Sequence, residues 1–204
     1  MAKKKIAEGD TSAEEKIKEA ARKVFMTKGY AATRTRDIAE EAGLNLALLN
    51  YYFRSKEKLF EIVMMEKIQK LFGILAPVLN DESTTLEQKI EQVVNNYLDM
   101  LQVNPDLPLF VMSEIRNEPE RFANKIQAGK LIRDSYMVKQ LKEKRPDINP
   151  LHFIVSLLGM TLFPFIAKPV LESAMNISPK AYQTMMEERR DYIPRWIKSM
   201  LKTR

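Results

Sequence analysis

The sequence predicts an all-α protein in which a small three-helix head is joined by one long helix to a larger helical body. Apolar residues recur every three or four positions through most of the chain, and no strand-like alternation of useful length interrupts them. Two short helical patterns in the head flank a single glycine, which is typical of a helix-turn-helix. We place the head at residues 1–60 and the body at residues 61–204, with the boundary inside the long helix.

Composition describes a folded protein and excludes several kinds of site. The chain has 204 residues, of which 45% are apolar and 29% are charged, so it can form a substantial core. Because it lacks cysteine, it has neither disulfides nor a thiolate metal site. No secretory signal is visible near Met1. The most apolar run, residues 153–167, is shorter than the roughly 20 residues that a membrane span needs. We therefore expect a buried helix there, no membrane association and a cytoplasmic location.

The formal charge of +6 is placed unevenly. Residues 1–60 carry 13 Lys and Arg against 9 Asp and Glu, whereas residues 61–204 carry 20 against 18. A basic excess in the head favours a phosphate-bearing partner, although a solvated basic surface would have the same composition. Lys3, Lys4 and Lys5 lie in a polar arm that is either disordered or in contact with DNA.

The first helix is predicted to begin at Thr11 or Ser12 and to end at Gly29. Its buried stripe has the spacing of one helix face and consists of Ile17, Ala20, Ala21, Val24 and Phe25. These side chains should form the small core that supports the helices that follow.

The helix-turn-helix pattern occupies Thr33 to Phe60. Gly43 stands where a helix end requires positive φ, and Asn45 follows as an N-cap for the second helix. Small Ala39 allows the two helices to approach closely, while Leu44 and Leu49 fill the space between them. An ordinary helical corner is the alternative interpretation.

The remaining periodic segments are all helical. Ser55 should cap the long helix, which runs from Lys56 to about Asn80. Five more helices are predicted, at Leu86–Leu101, Leu109–Arg116, Pro119–Lys144, Leu151–Ser173 and Ser178–Lys202. The last two carry large apolar surfaces that favour a four-helix interface between two subunits, although packing within one chain is the alternative. Residues expected at this interface are Leu158, Leu162, Phe165, Ile193, Trp196, Ile197 and Met200.

No catalytic arrangement can be assembled from the sequence. His152 is the only histidine, and the six glycines form neither a G-x-G-x-x-G nor a phosphate-binding loop. We therefore expect no enzyme activity, no cofactor and no metal.

A ligand cavity in the body is a more plausible site. The chain has 12 methionines, whose flexible side chains suit an adaptable pocket wall, although such residues also form ordinary core. Glu114 stands out as a polar residue inside the apolar run LFVMSEI, where it would need a partner if buried. The predicted lining residues are Phe72, Tyr97, Met100, Phe110, Glu114, Phe122, Tyr136, Met160 and Phe163.

The stretch from Glu14 to Phe60 resembles the DNA-binding domain of the TetR family of bacterial transcription regulators. The resemblance rests on IKEAARKVFMTKGYAAT, RDIAEEAG and YYFRSKEKLF, read in that order. Two departures leave the operator sequence open. Asn45, Leu46 and Ala47 stand where the family usually has a polar residue and then a small one, and Asn50 replaces a frequent tyrosine.

The resemblance implies that contacts with double-stranded DNA come from the start of the second helix and from the third. Thr35 and Arg36 would touch the backbone and a base edge, and Tyr52 and Lys56 would clamp the backbone. The complete set of expected contacts is Thr35, Arg36, Asn45, Leu46, Ala47, Leu48, Asn50, Tyr51, Tyr52 and Lys56.

Together these observations predict a ligand-responsive, homodimeric DNA-binding transcription regulator. The resemblance favours a repressor that binds a roughly palindromic operator and is released by a small molecule. Two other classes stay open at this point: a helical small-molecule binding protein without DNA function, and a catalytic helical bundle.

Overall fold

Eleven α-helices make up the described part of the chain, and no strand occurs within residues 2–202. The computed structural model describes these residues, with side chains for residues 13–127 and 129–202. The helices are α1 (Ala2–Ala32), α2 (Thr35–Ala42), α3 (Leu46–Phe53), α4 (Lys56–Asn80), α5 (Leu86–Val103), α6 (Leu107–Asn117), α7 (Pro119–Ile126), α8 (Ala128–Arg133), α9 (Tyr136–Lys144), α10 (Pro150–Ala174) and α11 (Pro179–Lys202). The prediction of an all-α fold is confirmed.

The chain divides into two compact units, Met1–Ile68 and Gln69–Arg204, which we call the N-terminal and C-terminal units. The division lies inside α4, but later than residue 60, where the sequence suggested it. The reason is that the part of α4 after residue 60 still packs within the N-terminal unit. There Val63 is buried, and the guanidinium of Arg22 on α1 donates to the carboxylate of Glu66 at 2.8 Å.

Helix α1 begins at Ala2, earlier than the predicted start at Thr11 or Ser12. The preceding residues are mostly strong helix formers without proline, so the helical conformation continues through them. The side chains of the proposed lysine arm lie outside the described residues. At the other end, Gly29 breaks the helix with a φ of 72°, as its position in the sequence predicted.

The core of the N-terminal unit is built from the predicted stripe of α1 and from the inner faces of α2, α3 and α4. Tyr30 and Phe60 add an aromatic contact, with ring centroids 4.5 Å apart. The buried apolar side chains include Ile17, Ala20, Ala21, Val24, Phe25, Ile38, Ala39, Leu49, Phe53, Leu59, Phe60 and Val63.

The single helix predicted over Pro119–Lys144 is instead three helices, α7, α8 and α9. Gln127 separates α7 from α8 because its φ of 47° lies in the left-handed region, which a continuous helix cannot accommodate. Ser135 caps α9 by accepting a hydrogen bond from the backbone N–H of Val138 at 3.3 Å. Neither break carries glycine or proline, which is why the sequence pattern concealed both.

The core of the C-terminal unit centres on α5, against which α9, α10 and α11 pack. Its buried members are Leu71, Leu75, Leu79, Leu86, Ile90, Val93, Val94, Leu98, Met137, Leu141, Phe153, Leu157, Tyr182, Met186, Ile193, Ile197 and Leu201. Two predicted interface residues, Ile193 and Ile197, are therefore buried within their own chain. The correction follows from helix geometry, because they lie on the face of α11 that meets α5 and α10.

Helix α10 is less buried than the sequence suggested. It is long and apolar enough to cross a membrane by length and composition, yet only 17% of its apolar window is buried. Val155 and Phe163, two turns apart on one side, are 59% and 64% exposed. Phe163 was predicted to line a pocket, and this position on the outer face contradicts that assignment.

Pro164 interrupts the hydrogen-bonding ladder of α10, and α11 compensates for the interruption. Proline has no N–H to donate to the carbonyl four residues earlier, which belongs to Met160. The Nη2 atom of Arg189 donates to this carbonyl at 2.5 Å. The same guanidinium lies 5.5 Å from the ring of Trp196. Arg189 thus joins the two C-terminal helices at the position of Pro164.

The ammonium of Lys89 is fully buried beneath the turn between α4 and α5. It donates to the carbonyl of Asp81, and to the carbonyl and hydroxyl oxygens of Thr84 at 2.8 and 2.6 Å. The turn therefore closes around a lysine that satisfies three of its oxygen atoms.

Replacing Lys89 with Met should lower the free energy of unfolding by about 1–3 kcal/mol, because buried acceptors would lose their donor. Urea denaturation followed by circular dichroism measures the change. Lys139→Met is the matched control, since Lys139 is exposed and also lies over the ring of Tyr136. Its effect should stay within about 0.5 kcal/mol. Equal midpoints for the two variants would contradict the role of Lys89.

Candidate nucleic-acid interface

Helices α2 and α3 form the predicted helix-turn-helix, and the turn between them is closed by backbone hydrogen bonds. Gly43 has a φ of 65°, and its N–H donates to the carbonyl of Glu40 at 3.1 Å. The N–H of Leu44 donates to the carbonyl of Ala39 at 3.0 Å. A side chain at Gly43 would strain this left-handed conformation, so the turn depends on glycine.

Asn45 begins α3 as predicted, with its side-chain oxygen accepting a hydrogen bond from the N–H of Leu48 at 2.8 Å. Leu49 and Phe53 anchor the inner face of α3 in the core, whereas Leu46 and Leu48 are half-buried. This anchoring fixes which side of the helix faces outward.

The exposed side of α3 is a stripe one helix face wide. Ala47, Asn50 and Tyr51 follow one another at helical spacing, and Tyr51 is 74% exposed. Arg54, which ends the helix with a φ of 56°, follows this stripe in the sequence and is also exposed. Sequence reasoning missed Arg54, although the i, i+3, i+4, i+7 pattern of this stripe could have identified it.

The start of α2 is held by an ionised carboxylate. The N–H of Arg34 donates to Asp37 at 2.8 Å, and the ammonium of Lys28 lies 3.1 Å from the same carboxylate. These contacts hold the pKa of Asp37 below its ordinary value of 3.8. Their stabilising effect is therefore complete above that value and is lost as the pH falls through the lower, folded-state pKa. Thr35 is half-buried beside them, while Arg36 is exposed.

Lys56, predicted to clamp a DNA phosphate, has a well-defined internal position. Its Nζ atom lies 3.0 Å from each of the carbonyl oxygens of Tyr30 and Thr33, and 4.2 Å from the centre of the Tyr30 ring. The hydroxyl of Tyr30 in turn donates to Glu57 at 3.0 Å. Lys56 thus joins the end of α1 to the start of α4, and two of its three N–H donors are already engaged.

Cations in the N-terminal unit fall into two groups. Four lysines pair with carboxylates at 2.5–3.1 Å: Lys18 with Glu14, Lys23 with Glu41, Lys28 with Asp37 and Lys58 with Glu61. Arg34, Arg36 and Arg54 are exposed, and none of them forms an ion pair with any described residue. Lys16 on α1 is also exposed without an ion pair among the described residues, but close to the helix-turn-helix the cations available to an external anion are these arginines. Arg34, like Arg54, was missed at the sequence level.

The predicted pocket residues are distributed over several helices of the C-terminal unit. Phe110 and Phe122 are buried, and the remaining residues apart from the exposed Phe163 are half-buried. Tyr97, Met100 and Met160 pack against the core of the unit. Tyr136 instead lies at the start of α9, where its ring faces the ammonium groups of Lys89 and Lys139.

Two polar groups on the predicted pocket helices are at least partly removed from water. Burial raises the pKa of the Tyr97 phenol to about 12. The Oε2 atom of Glu114 is buried and has no hydrogen-bond partner among the described residues. A buried carboxylate oxygen without a donor is costly, which favours a ligand or a rearrangement that supplies one.

Residues 17–63 match the family model of bacterial regulatory proteins of the tetR family. Over nearly its whole length the chain is similar to YttP of Bacillus subtilis, a probable helix-turn-helix transcriptional regulator. The identity is 26% over 202 residues, covering 94% of this chain and 95% of YttP. It is also 34% identical over 112 residues to the transcriptional repressor KstR2 of Mycolicibacterium smegmatis, covering 48% and 54% of the two chains.

Among solved structures, the fold resembles that of the regulator FadR of B. subtilis in complex with stearoyl-CoA. The TM-score is 0.59 with 16% identity, and the match covers 88% of this chain and 96% of FadR. At this identity the likeness concerns the fold.

Replacing Lys56 with Met should weaken the N-terminal unit, because the carbonyls of Tyr30 and Thr33 would lose a charged donor. The expected loss is about 1–3 kcal/mol, and amide hydrogen exchange in α1–α3 measures it. Lys58→Met is the control, since Lys58 is an exposed neighbour that pairs only with Glu61, and its effect should stay within about 0.5 kcal/mol. Unchanged exchange in Lys56→Met would show that Lys56 does not hold the unit together.

Proposed function

This chain belongs, through its N-terminal unit, to the TetR family of bacterial regulatory proteins, and we propose that it acts as a homodimeric repressor released by a small molecule. It is a DNA-binding transcriptional regulator. The helix-turn-helix supports the DNA-binding role. Its α3 stripe is exposed, and it lies between Arg34, Arg36 and Arg54, which form no ion pair with the described residues. Because such a regulator acts on the chromosome, we propose a cytoplasmic location.

The proposed DNA interface follows from this distribution of exposed groups. Asn50 and Tyr51 have the exposure needed to reach base edges in the major groove, and Arg36 can pair with guanine. Arg34 and Arg54 suit the phosphates on either side of the recognition helix. Lys56 would support the interface chiefly by holding α4 against α1, with one N–H left for a phosphate.

A second copy of the chain is the proposed partner of the exposed face of α10. Leu151, Val155, Gly159, Phe163 and Val170 lie along this face, and each is exposed. On α11, Tyr192, Trp196 and Met200 are each 43–44% exposed, and the first two rings stack at 5.7 Å. Apolar surface of this extent is rarely left to water in a soluble protein. Of the residues predicted for this interface, Trp196 and Met200 suit it, together with the half-buried Leu158 and Leu162; Phe165 packs against its own core.

The effector is proposed to bind among α5, α6 and α10, where the apolar predicted pocket residues accompany Tyr97 and Glu114. FadR, which shares the fold, is known in complex with stearoyl-CoA, so long-chain acyl thioesters are a reasonable first class to screen. The effector would act by binding more tightly to a conformation in which the two recognition helices no longer match the operator half-sites.

Arg36→Ala and Arg54→Ala should weaken DNA binding in different ways. Loss of a base contact at Arg36 should weaken operator binding about 5- to 100-fold, and random DNA less. Loss of a phosphate contact at Arg54 should weaken both duplexes alike and reduce the salt slope by about one. Gel shifts on fragments from the neighbourhood of the gene would first locate the operator, and titrations at several salt concentrations would then compare the variants.

Lys23→Ala is the matched control for both arginines, because Lys23 is equally exposed but pairs with Glu41. Its salt slope should match that of the unmodified protein. If no chromosomal fragment were preferred over random DNA, the regulator proposal would be wrong. An identical loss on operator and random DNA for Arg36→Ala would reduce that residue to a phosphate contact.

Gly159→Phe should separate the dimer without unfolding the chain. A Cβ added at Gly159 meets no atom of its own chain within 4 Å, so the subunit can accept the side chain. A helix of a second subunit packed at this glycine would be pushed away, and the species of twice 23.7 kDa should be lost. Sedimentation velocity measures the mass.

Gly73→Phe is the control, because Gly73 is also exposed and helical and its added Cβ meets nothing within 4 Å. It should remain dimeric with the same dissociation constant as the unmodified protein. Trp196→Glu provides a second test on α11 and should give the same result as Gly159→Phe. A dimer of unchanged affinity in both variants would place the interface on other helices.

A further inference from the structure

Besides the basic excess of residues 1–60, the chain has a second basic stretch in the C-terminal unit. Residues 121–145 contain 8 Lys and Arg against 2 Asp and Glu, a net charge of +6. The other residues contain 25 of each kind, because the excess of residues 1–60 is offset by acidic residues elsewhere in the chain. The proposed DNA contacts use only a few arginines of the N-terminal unit. The cations of residues 121–145 are separate from these arginines.

Four of these cations are free to meet an external anion. Lys130 and Arg133 on α8, and Lys139 and Lys142 on α9, are exposed and form no ion pair with the residues that the structure describes. Two neighbouring cations do form ion pairs: Lys144 pairs with Glu87, and Arg145 pairs with Asp147. Pairs of cations one helical turn apart thus remain on two successive helices.

Two adjoining depressions lie among these cations and share Asp134. One, of about 340 Å³, is lined by Arg133, Lys139 and Lys142. The other, of about 430 Å³, is lined by Lys130 and has an apolar floor of Ile126 and Leu131. We call the surface formed by both depressions the α8–α9 cationic surface. Both depressions are shallow and open to solvent, so a ligand would lie on the surface rather than in a closed cavity.

The backbone at the edge of this surface is in an unfavourable conformation. Gln127, which lines the second depression, has a φ of 47° and ψ of 19°. Such angles are uncommon for a residue other than glycine, and strained residues are concentrated at ligand sites. The conformation turns α8 away from the axis of α7, and Lys130 and Leu131 follow on that short helix.

We propose that the α8–α9 cationic surface binds a small phosphorylated molecule of the nucleotide class. The cations suit two or more phosphoryl oxygens, and the apolar floor suits a flat base. The carboxylate of Asp134 between them would repel a bare polyphosphate, but it is an acceptor for the hydroxyls of a ribose. A ligand that combines phosphate, sugar and base matches the sequence of groups across the surface.

This arrangement favours a small molecule over a DNA duplex. Asp134 and Glu143 stand among the cations, and they would oppose the continuous row of phosphates that a duplex presents. The depressions are also small and lined by few residues, whereas a duplex needs an extended surface that follows its groove. An anionic small molecule bound at this surface would therefore be a second effector. It would bind in the C-terminal unit, whereas the proposed DNA contacts lie in the N-terminal unit.

Isothermal titration of the full-length protein with ADP and with inorganic pyrophosphate tests the proposal. ADP should bind more tightly than pyrophosphate. The double variant K130Q/R133Q should weaken ADP binding about tenfold or more, while its affinity for DNA in the absence of ADP stays unchanged. Asp134→Asn should weaken ADP binding and spare or strengthen pyrophosphate binding, because only ADP offers ribose hydroxyls.

Lys180→Gln is the matched control. Lys180 is an exposed lysine that lines a depression of about 390 Å³ on α11, close to a single carboxylate, Glu188. Its ADP affinity should remain within about twofold of the unmodified value. Absence of ADP binding below about 1 mM, or an equal loss in Lys180→Gln, would overturn the proposal. A third outcome would also overturn the proposal. If the R36A/R54A double variant still bound a short random duplex through Lys130 and Arg133, the ligand of this surface would be DNA.

Discussion

The orientation of the helix-turn-helix depends on one half-buried charge, the ammonium of Lys56, which donates to the carbonyls of Tyr30 and Thr33. Those carbonyls belong to the end of α1 and to Thr33, in the short link between α1 and α2. A cation that starts α4 therefore fixes where α2 begins. The aromatic contact between Tyr30 and Phe60 closes the same junction from the other side. Base recognition by α3 relies on this fixed frame.

Local chemistry explains which features of the fold could be predicted from the sequence. Gly43 and Asn45 were predictable because a left-handed turn and an N-cap depend on the residue itself and its immediate neighbours. The inward direction of Lys56 was not, because its acceptors lie more than twenty residues earlier in the chain. The break at Gln127 was equally hidden, since glutamine normally continues a helix and is rarely found at positive φ.

The same limit applies to the proposed subunit interface. Periodicity identifies an apolar stripe on α11, but it cannot say which edge of the stripe faces its own core. Ile193 and Ile197 are fully buried, while Trp196, between them in sequence, is 44% exposed. The difference arises from the packing of α11 on α5 and α10, and Arg189 sets part of that packing by bonding to the carbonyl that Pro164 leaves free. By bonding to the carbonyl of Met160, Arg189 therefore contributes to the packing that leaves Trp196 exposed.

The location of the positive charge has a practical consequence for biochemical work on this regulator. Chromatography on heparin or phosphocellulose responds to clustered cations wherever they lie on the surface. A preparation whose helix-turn-helix had been damaged or removed would still present the cations of residues 121–145 to such a column. Retention on such a column is therefore a poor criterion for active protein, and fractions should be judged by their preference for one DNA sequence over another.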